Sequence, residues 1–334
     1  MKRTLLIAFV ALTAVAGDGY RVLNKIKIGG TGGWDYLTYE GKSNRLYLSH
    51  GTQVEVVDLG AGKVIGQITQ LHGVHGIAVA PDLNKGFISN GSSNSVTVFD
   101  LKTLARLGEP AVGGQNPDSI CFEPKTQRVF TFNGRSNDST AIDAKTNEIV
   151  KTFPVGDKPE FCVVDGAGKI YVNIENTSEL VEIDAVKLAV TRRAPLAPCE
   201  EPSGLAIDGK NKKLFSVCGN KTMAVTDIAT MKVVATVGIG AGTDGAGFDP
   251  GTGLAFSSNG GDGTLTVVKL VNGKYTAVDT VQTSRGARTM AVDYSQHRVY
   301  LLGAEFGPAP EPKAGKKSRP PIIPDSFHVL VVGK

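Results

Sequence analysis

The sequence predicts an all-β protein, a seven-bladed β-propeller built from four-stranded antiparallel blades. Three observations lead to this prediction: a repeat of about 40 residues, short alternating runs inside each repeat, and two chain ends that complete one another. The 334 residues include 41 glycines, and 41% are hydrophobic. Such a composition suits many short strands joined by tight turns.

The repeat is defined by the residue that stands two places before the first apolar run of each copy. Successive positions are separated by 40, 43, 42, 43, 41 and 44 residues. These positions, which we call the first ring, are Asp35, His75, Asp118, Glu160, Ser203, Asp244 and Arg288. Seven copies at such regular spacing predict seven blades.

Each copy contains further runs with the period of two that is typical of strands. In the second copy a first run at 77–79 is followed, after a Pro-Asp turn, by a second at 86–89 and a third at 96–99. A fourth run, such as 64–68 in the first copy, follows another turn. The third run usually ends on aspartate, at Asp58, Asp100, Asp143, Asp184 and Asp227.

The chain ends predict how the ring closes. The seventh copy has a third run at 327–332 and no fourth, whereas an unpaired run at 20–28 precedes the first copy. We expect the N-terminal strand to complete the last blade, because this removes an open sheet edge that would invite aggregation.

Residues 1–16 have the pattern of a secretory signal peptide. Lys2 and Arg3 precede an apolar segment at 5–14, and Ala14 and Ala16 provide a small-residue cleavage site. Residues 17–334 are then a single domain that is periplasmic or secreted. No apolar stretch long enough to span a membrane follows residue 20.

A proline-rich loop at 304–325 interrupts blade seven and holds six of the sixteen prolines. Such density excludes paired strands, so the segment is either a flap over the channel mouth or a surface excursion. It also holds the only basic cluster, Lys313, Lys316, Lys317 and Arg319. Since the net charge is only +4, we interpret this cluster as solvated loop. We expect a monomer that does not bind nucleic acid.

The first ring is the candidate functional site, because loops that enter the inner strands of a propeller meet at one channel mouth. Its four carboxylates would repel one another unless a cation, a shared proton or water relieved them. These residues either cap turns or hold a ligand.

A second ring, where the second runs end, includes His50, Asn90 and Asn133. The predicted ligand-binding residues are Trp34, Asp35, His50, His75, Asn90, Asp118, Asn133, Glu160, Asp244 and Arg288.

Two histidines and two carboxylates of blades one to three form a candidate site for a divalent metal ion, the one cofactor considered. They are Asp35, His50, His75 and Asp118, which have no local spacing motif.

Trp34 either stacks on a ligand or packs between blades one and seven. Cys199 and Cys218 flank the first two strands of blade five at the same end. They either form a disulfide, or Cys218 is a free thiol or metal ligand.

Several segments are similar to the YVTN-type repeats of the YncE-like β-propeller family. They are GFISNGSSNSVTVFDLKTLARLG, RVFTFNGRSNDSTAIDAKTNEIV and GLAFSSNGGDGTLTVVKL. The resemblance covers essentially the whole mature chain. It implies a propeller that is exported, and it implies no particular activity.

Three functions remain open at this point. The first is an exported binding module with a ligand or metal site at the acidic mouth, for a small polar or cationic ligand or a protein partner. The second is a metal-assisted hydrolase or lyase, resembling propeller lactonases and virginiamycin B lyase, with His75 as general base. The third is a protein-interaction scaffold. The sequence has no haem-attachment, P-loop, nucleophile-elbow or H-E-x-x-H motif.

Overall fold

Seven four-stranded antiparallel sheets form the structure, a computed structural model that describes residues 19–310 and 320–334. The predicted signal peptide, residues 1–16, lies outside the described residues. Each sheet is one blade, and its strands follow one another in chain order in six of the seven blades. The described residues contain one short 3-10 helix, Pro81–Leu83, and no helix that is long and apolar enough to cross a bilayer. The predicted fold class is confirmed.

Four consecutive strands make up each of blades one to six, beginning with the second strand of the chain. In chain order the strands are β1 (Arg21–Lys27), β2 (Leu37–Glu40), β3 (Arg45–His50), β4 (Gln53–Asp58), β5 (Lys63–Ile68), β6 (Val74–Ala80), β7 (Lys85–Asn90), β8 (Ser95–Asp100), β9 (Arg106–Gly108), β10 (Pro117–Glu123), β11 (Arg128–Asn133), β12 (Asp138–Asp143), β13 (Ile149–Pro154), β14 (Pro159–Val164), β15 (Lys169–Ile174), β16 (Glu179–Asp184), β17 (Ala189–Pro195), β18 (Pro202–Asp208), β19 (Lys213–Cys218), β20 (Thr222–Asp227), β21 (Lys232–Gly238), β22 (Thr243–Asp249), β23 (Leu254–Asn259), β24 (Thr264–Val271), β25 (Lys274–Gln282), β26 (Met290–Asp293), β27 (Arg298–Gly303) and β28 (His328–Gly333).

Blade seven joins the two ends of the chain, as the sequence predicts. Its strand order is β1-β28-β27-β26, with β1 outermost. The register runs from Arg21 opposite Gly333 to Lys27 opposite His328. Most side chains of β1 are exposed, but Ile26 is buried in the core between blades seven and one. The N-terminal strand therefore closes the ring mainly through its backbone.

The aspartates that end the third strands hold the next turn. Asp100, Asp143 and Asp184 each accept two backbone N–H groups from the residues that follow. These hydrogen bonds, which favour the charged form, lower the pKa of all three carboxyls. The recurring aspartate of the sequence is thus a turn-forming residue.

The hydrophobic core lies between neighbouring blades. Between blades three and four, for example, Phe130 and Phe132 of β11 pack with Ile170 and Val172 of β15. Each sheet thereby buries both faces, and only its innermost and outermost strands reach the channel or the rim. This arrangement fixes the innermost strands, which carry the first ring.

The proline-rich loop of blade seven begins and ends as a paired segment. Phe306 bridges Ile322, and the Gly307 N–H donates to the Pro321 carbonyl. Residues 311–319, with the basic cluster predicted there, lie outside the described residues.

Candidate functional site

The first ring surrounds a cavity of about 400 Å³ at one mouth of the central channel. Six of the seven ring residues line it, and the seventh, His75, contacts two of them. The lining residues are Asp35, Tyr36, Asp118, Lys158, Glu160, Glu175, Glu201, Ser203, Gly219, Thr243, Asp244 and Arg288. Residues from blades one, three, four, five, six and seven thus meet in a single polar cavity.

His75 lies between two carboxylates of the ring. Its Nδ1 is 2.7 Å from Asp35 Oδ2 and 3.7 Å from Asp118 Oδ1. One ligand atom from each of these three residues lies within 4.8 Å of the others. Burial opposes protonation of the imidazole, but the Asp35 hydrogen bond and the charges of both aspartates outweigh it and raise the pKa of His75. His75 is therefore a cation over a wider pH range than a free histidine.

Arg288 connects the two ends of the chain across the ring. Its Nε donates to Asp244 Oδ2 at 2.8 Å, and its Nη2 donates to Asp35 Oδ1 at 3.3 Å and to the Trp34 carbonyl at 3.0 Å. Asp35 thus accepts hydrogen bonds from a guanidinium and an imidazole at once. It is the best neutralised carboxylate of the ring.

A second charged group lies at the blade-four side of the cavity. Lys158 forms an ion pair with Glu175, and its Nζ is 3.4 Å from Glu160 Oε1. Burial and the adjacent Glu175 carboxylate raise the pKa of Glu160. Burial also acts to raise the pKa of Glu175, but the hydrogen bonds from Glu160 and Lys158 outweigh it and lower that pKa. One proton is therefore held between the two carboxyls near neutral pH.

Among the described residues, no lysine or arginine forms an ion pair with Asp118. Burial raises its pKa to about 7, and the charges of Asp35 and Asp244 add to this effect, while His75 opposes it. Burial also raises the pKa of Asp244, although Arg288 opposes the shift. Asp118 and Asp244 thus lie where negative charge is in excess.

Tyr36 lines the cavity, and its ring contacts that of Phe161 on the innermost strand of blade four. Their rings come from opposite sides of the channel, and the centroids are 5.3 Å apart. Burial raises the pKa of Tyr36 far above its ordinary value, with further contributions from four ring carboxylates that include Asp118 and Glu160. The phenol is therefore neutral and faces the acidic group. Tyr36, which directly follows Asp35, was not among the predicted ligand-binding residues.

Side chains of the preceding blade hold the backbone of several ring residues. The Ser89 hydroxyl donates to the Asp118 carbonyl, Thr289 to Asp35, and Ser258 to Arg288. Asn173 donates to the Ser203 carbonyl in the same way. We did not predict these contacts. Their signal is a small polar residue within an otherwise apolar second strand, as at Ser89 and Ser258.

His50 does not join the predicted metal ligands. It is buried inside blade one, where Nδ1 lies 3.3 Å from Glu55 Oε1 and the ring centroid lies 4.2 Å from that of Phe327. Gly30 has a φ of +83°, and a Cβ there would lie 2.9 Å from His50 Cε1. The last residue of β3 points into the interface with blade seven and away from the channel, so the four-residue site is reduced to three.

Asn90 and Asn133 also lie away from the mouth cavity. Both side chains are fully buried, and each Nδ2 donates to a threonine of the next strand, Thr97 or Thr140. Asn259 donates to Thr266 in the same manner. These asparagines connect the second and third strands within a blade, and neither Asn90 nor Asn133 lines the mouth cavity.

Trp34 packs between blades one and seven, the second of its two predicted roles. It is buried, and its ring lies 5.5 Å from Phe327 and 6.1 Å from Phe306 between centroids. It acts on the site only through its carbonyl, which accepts the hydrogen bond from Arg288.

Cys199 and Cys218 form a disulfide at the mouth end of blade five, with a Cα–Cα distance of 5.7 Å. Cys218 is thus not a free thiol in the structure. Cys121 and Cys162 are free, and they lie on neighbouring inner strands.

No protein-family model matches this chain, and no curated protein matches it.

Proposed function

We propose that the mature chain is an exported binding module of the YVTN type that binds a small cation at the mouth cavity. The observation that supports this function is the balance of charge. Six carboxyl groups line the cavity, two of which share a proton, whereas its cationic groups are Lys158, Arg288 and the protonated form of His75. Carboxylates that converge in a confined space attract cations and raise their local concentration.

Asp118 is the centre of the proposed site. Asp35 and Asp244 are hydrogen-bonded to Arg288, and Glu175 is paired with Lys158. Within the described part of the chain, the one ion-pair contact of Asp118 is with His75, whose Nδ1 lies 3.7 Å from Asp118 Oδ1. A bound cation would favour the charged form of Asp118, so near neutral pH its binding should release a proton and should strengthen as the pH rises.

Two kinds of cation fit the cavity to different degrees. A divalent ion would find ligand atoms on Asp35, His75 and Asp118 within 4.8 Å of one another, but it would compete with the hydrogen bond between His75 and Asp35. An organic ammonium group needs only hydrogen-bond acceptors and negative charge. Both kinds therefore belong in the test.

The test is calorimetric titration of chelator-washed protein with divalent metal ions and with small amines at pH 8. We expect saturable binding that Asp118→Asn weakens by roughly tenfold, the effect of losing about 1.4 kcal/mol. Glu148→Gln, which changes an exposed carboxylate of the rim, is the matched control and should bind like wild type. Absence of binding for every cation would contradict the proposal and favour the interaction-scaffold function.

Hydrolysis or elimination is a second candidate function, favoured by the hydrogen bond between His75 and Asp35. A carboxylate that orients an imidazole is a common acid–base arrangement. Since the pKa of His75 is raised, the protonated ring would act as an acid near neutral pH. Turnover of a lactone and ester panel that His75→Gln abolishes, at unchanged melting temperature, would establish this function; lack of turnover excludes it for these substrates.

A further inference from the structure

The opposite half of the channel contains a second cavity with different chemistry. It has a volume of about 240 Å³ and is lined by the innermost strands of blades one and four to seven. Its lining residues, all within the described part of the chain, carry no charge. Aromatic rings contribute much of the wall, namely Tyr39, Phe161, Phe248 and Tyr294. We call this space the lower chamber.

The Tyr36–Phe161 pair forms the boundary between the two cavities. Tyr36 lines the mouth cavity, Phe161 lines the lower chamber, and their centroids are 5.3 Å apart. The charged groups of the mouth cavity therefore lie above this pair, and the uncharged wall lies below it. One channel thus presents two separate environments.

Rings outside the lower chamber pack against Phe248 and Tyr39 of its wall. Phe248 stacks on Phe215, with an interplanar angle of 11° and centroids 5.4 Å apart. Tyr39 contacts Tyr300 with centroids 6.1 Å apart. Rings that are fixed before a ligand arrives lose little conformational freedom on binding, which favours affinity.

We propose that the lower chamber binds a small uncharged aromatic molecule, independently of the cation site at the mouth. An engineered cavity of about 150 Å³ accommodates benzene, so the lower chamber has room for one or two fused rings. Aromatic rings favour offset or edge contacts with other rings. A charged molecule would find no oppositely charged side chain there. The exposed Tyr294 of the lining provides a hydroxyl for a polar substituent.

The experiment is calorimetric titration of the full protein with indole, with cyclohexanol and benzylamine for comparison. Indole should bind saturably, with a dissociation constant on the order of 1 mM or tighter. Ala291→Phe adds a ring to the chamber wall, and we expect it to weaken indole binding by roughly tenfold or more. Phe161→Leu removes a wall ring and serves as the second variant if the first does not fold.

Asp118→Asn is the control, because it changes only the mouth and should leave indole binding intact. The proposal is overturned if indole shows no saturable binding, or if Ala291→Phe and Phe161→Leu both bind it like wild type. Equal affinity for cyclohexanol would remove the aromatic preference. Loss of indole binding in Asp118→Asn would place the ligand at the mouth and overturn the separate site.

Discussion

Asp118 and Asn133 show how the environment of a single polar residue decides its role. Asn133 is fully buried, and its amide is satisfied by Asp138 and Thr140, so it contributes to the stability of blade three. Asp118 faces the mouth cavity with too little positive charge nearby, and its pKa is raised to about 7. A carboxylate that destabilises the fold when ionised is typical of a functional site.

Replacing Asp118 by asparagine should stabilise the protein at high pH. The carboxyl has a pKa of about 7 in the folded protein against an ordinary value of 3.8. The folded state thus holds the proton more tightly, and its stability falls as pH rises from about 4 to 7. At pH 8 we expect Asp118→Asn to raise the free energy of unfolding by roughly 1–3 kcal/mol.

Urea unfolding at pH 4 and pH 8 measures this difference, which should nearly vanish at pH 4. Glu148→Gln is the matched control and should change stability little at either pH. A variant that is less stable than wild type at pH 8 would show that Asp118 is well solvated or well paired.

The loop between β17 and β18 shows how a single element is fixed to the mouth. The disulfide joins Cys199, just before the inner strand β18, to Cys218 at the end of β19. Glu201 and Ser203, which follow Cys199 closely, line the mouth cavity. The cross-link therefore restrains the segment that carries the ring residue of blade five.

Removing the disulfide should lower stability without unfolding the protein. It closes a loop with a sequence separation of 19 residues, and loops of this size contribute about 3 kcal/mol. We expect Cys199→Ala/Cys218→Ala to lower the free energy of unfolding by about 2–4 kcal/mol. Reductant should have the same effect on wild type and no effect on the double variant.

Thiol titration of the denatured, unreduced protein gives an independent check. Two reactive thiols are expected, those of Cys121 and Cys162, whereas four would contradict the pairing.

At the scale of the whole molecule, the ring of blades is the unit that makes the site. Asp35 and Arg288 are separated by 253 residues, yet they form an ion pair because β1 closes blade seven beside blade one. The site is consequently coupled to closure of the ring. Both cavities of the channel depend on all of these blades being held in register.

Deleting the N-terminal strand should disrupt the propeller as a whole. A chain that begins at Gly29 lacks β1, leaves β28 as an unpaired edge and removes the buried Ile26. We expect that thermal unfolding is no longer cooperative, or that the shortened protein self-associates through that edge. A chain that begins at Gly19 keeps β1 and is the control; an equal melting temperature for both chains would show that closure does not need this strand.

The sequence by itself determined the number of blades, the strand count and the closing strand. Period-two runs and a repeat near 42 residues are local patterns, and seven copies make the period evident. The sequence also located the first ring, because residues at the same position of each repeat occupy equivalent positions in the blades. Asp35, His75 and Asp118 come together for this reason.

Only the tertiary structure decided which polar side chains face the channel. Successive strand residues point to opposite faces, so a shift of one position separates a channel residue from an interface residue. His50, Asn90 and Asn133 end their strands on the interior side, and Tyr36 reaches the channel instead. The pairing of Asp35 with Arg288 and the raised pKa of Asp118 depend on ring closure and burial, and no local pattern encodes these properties.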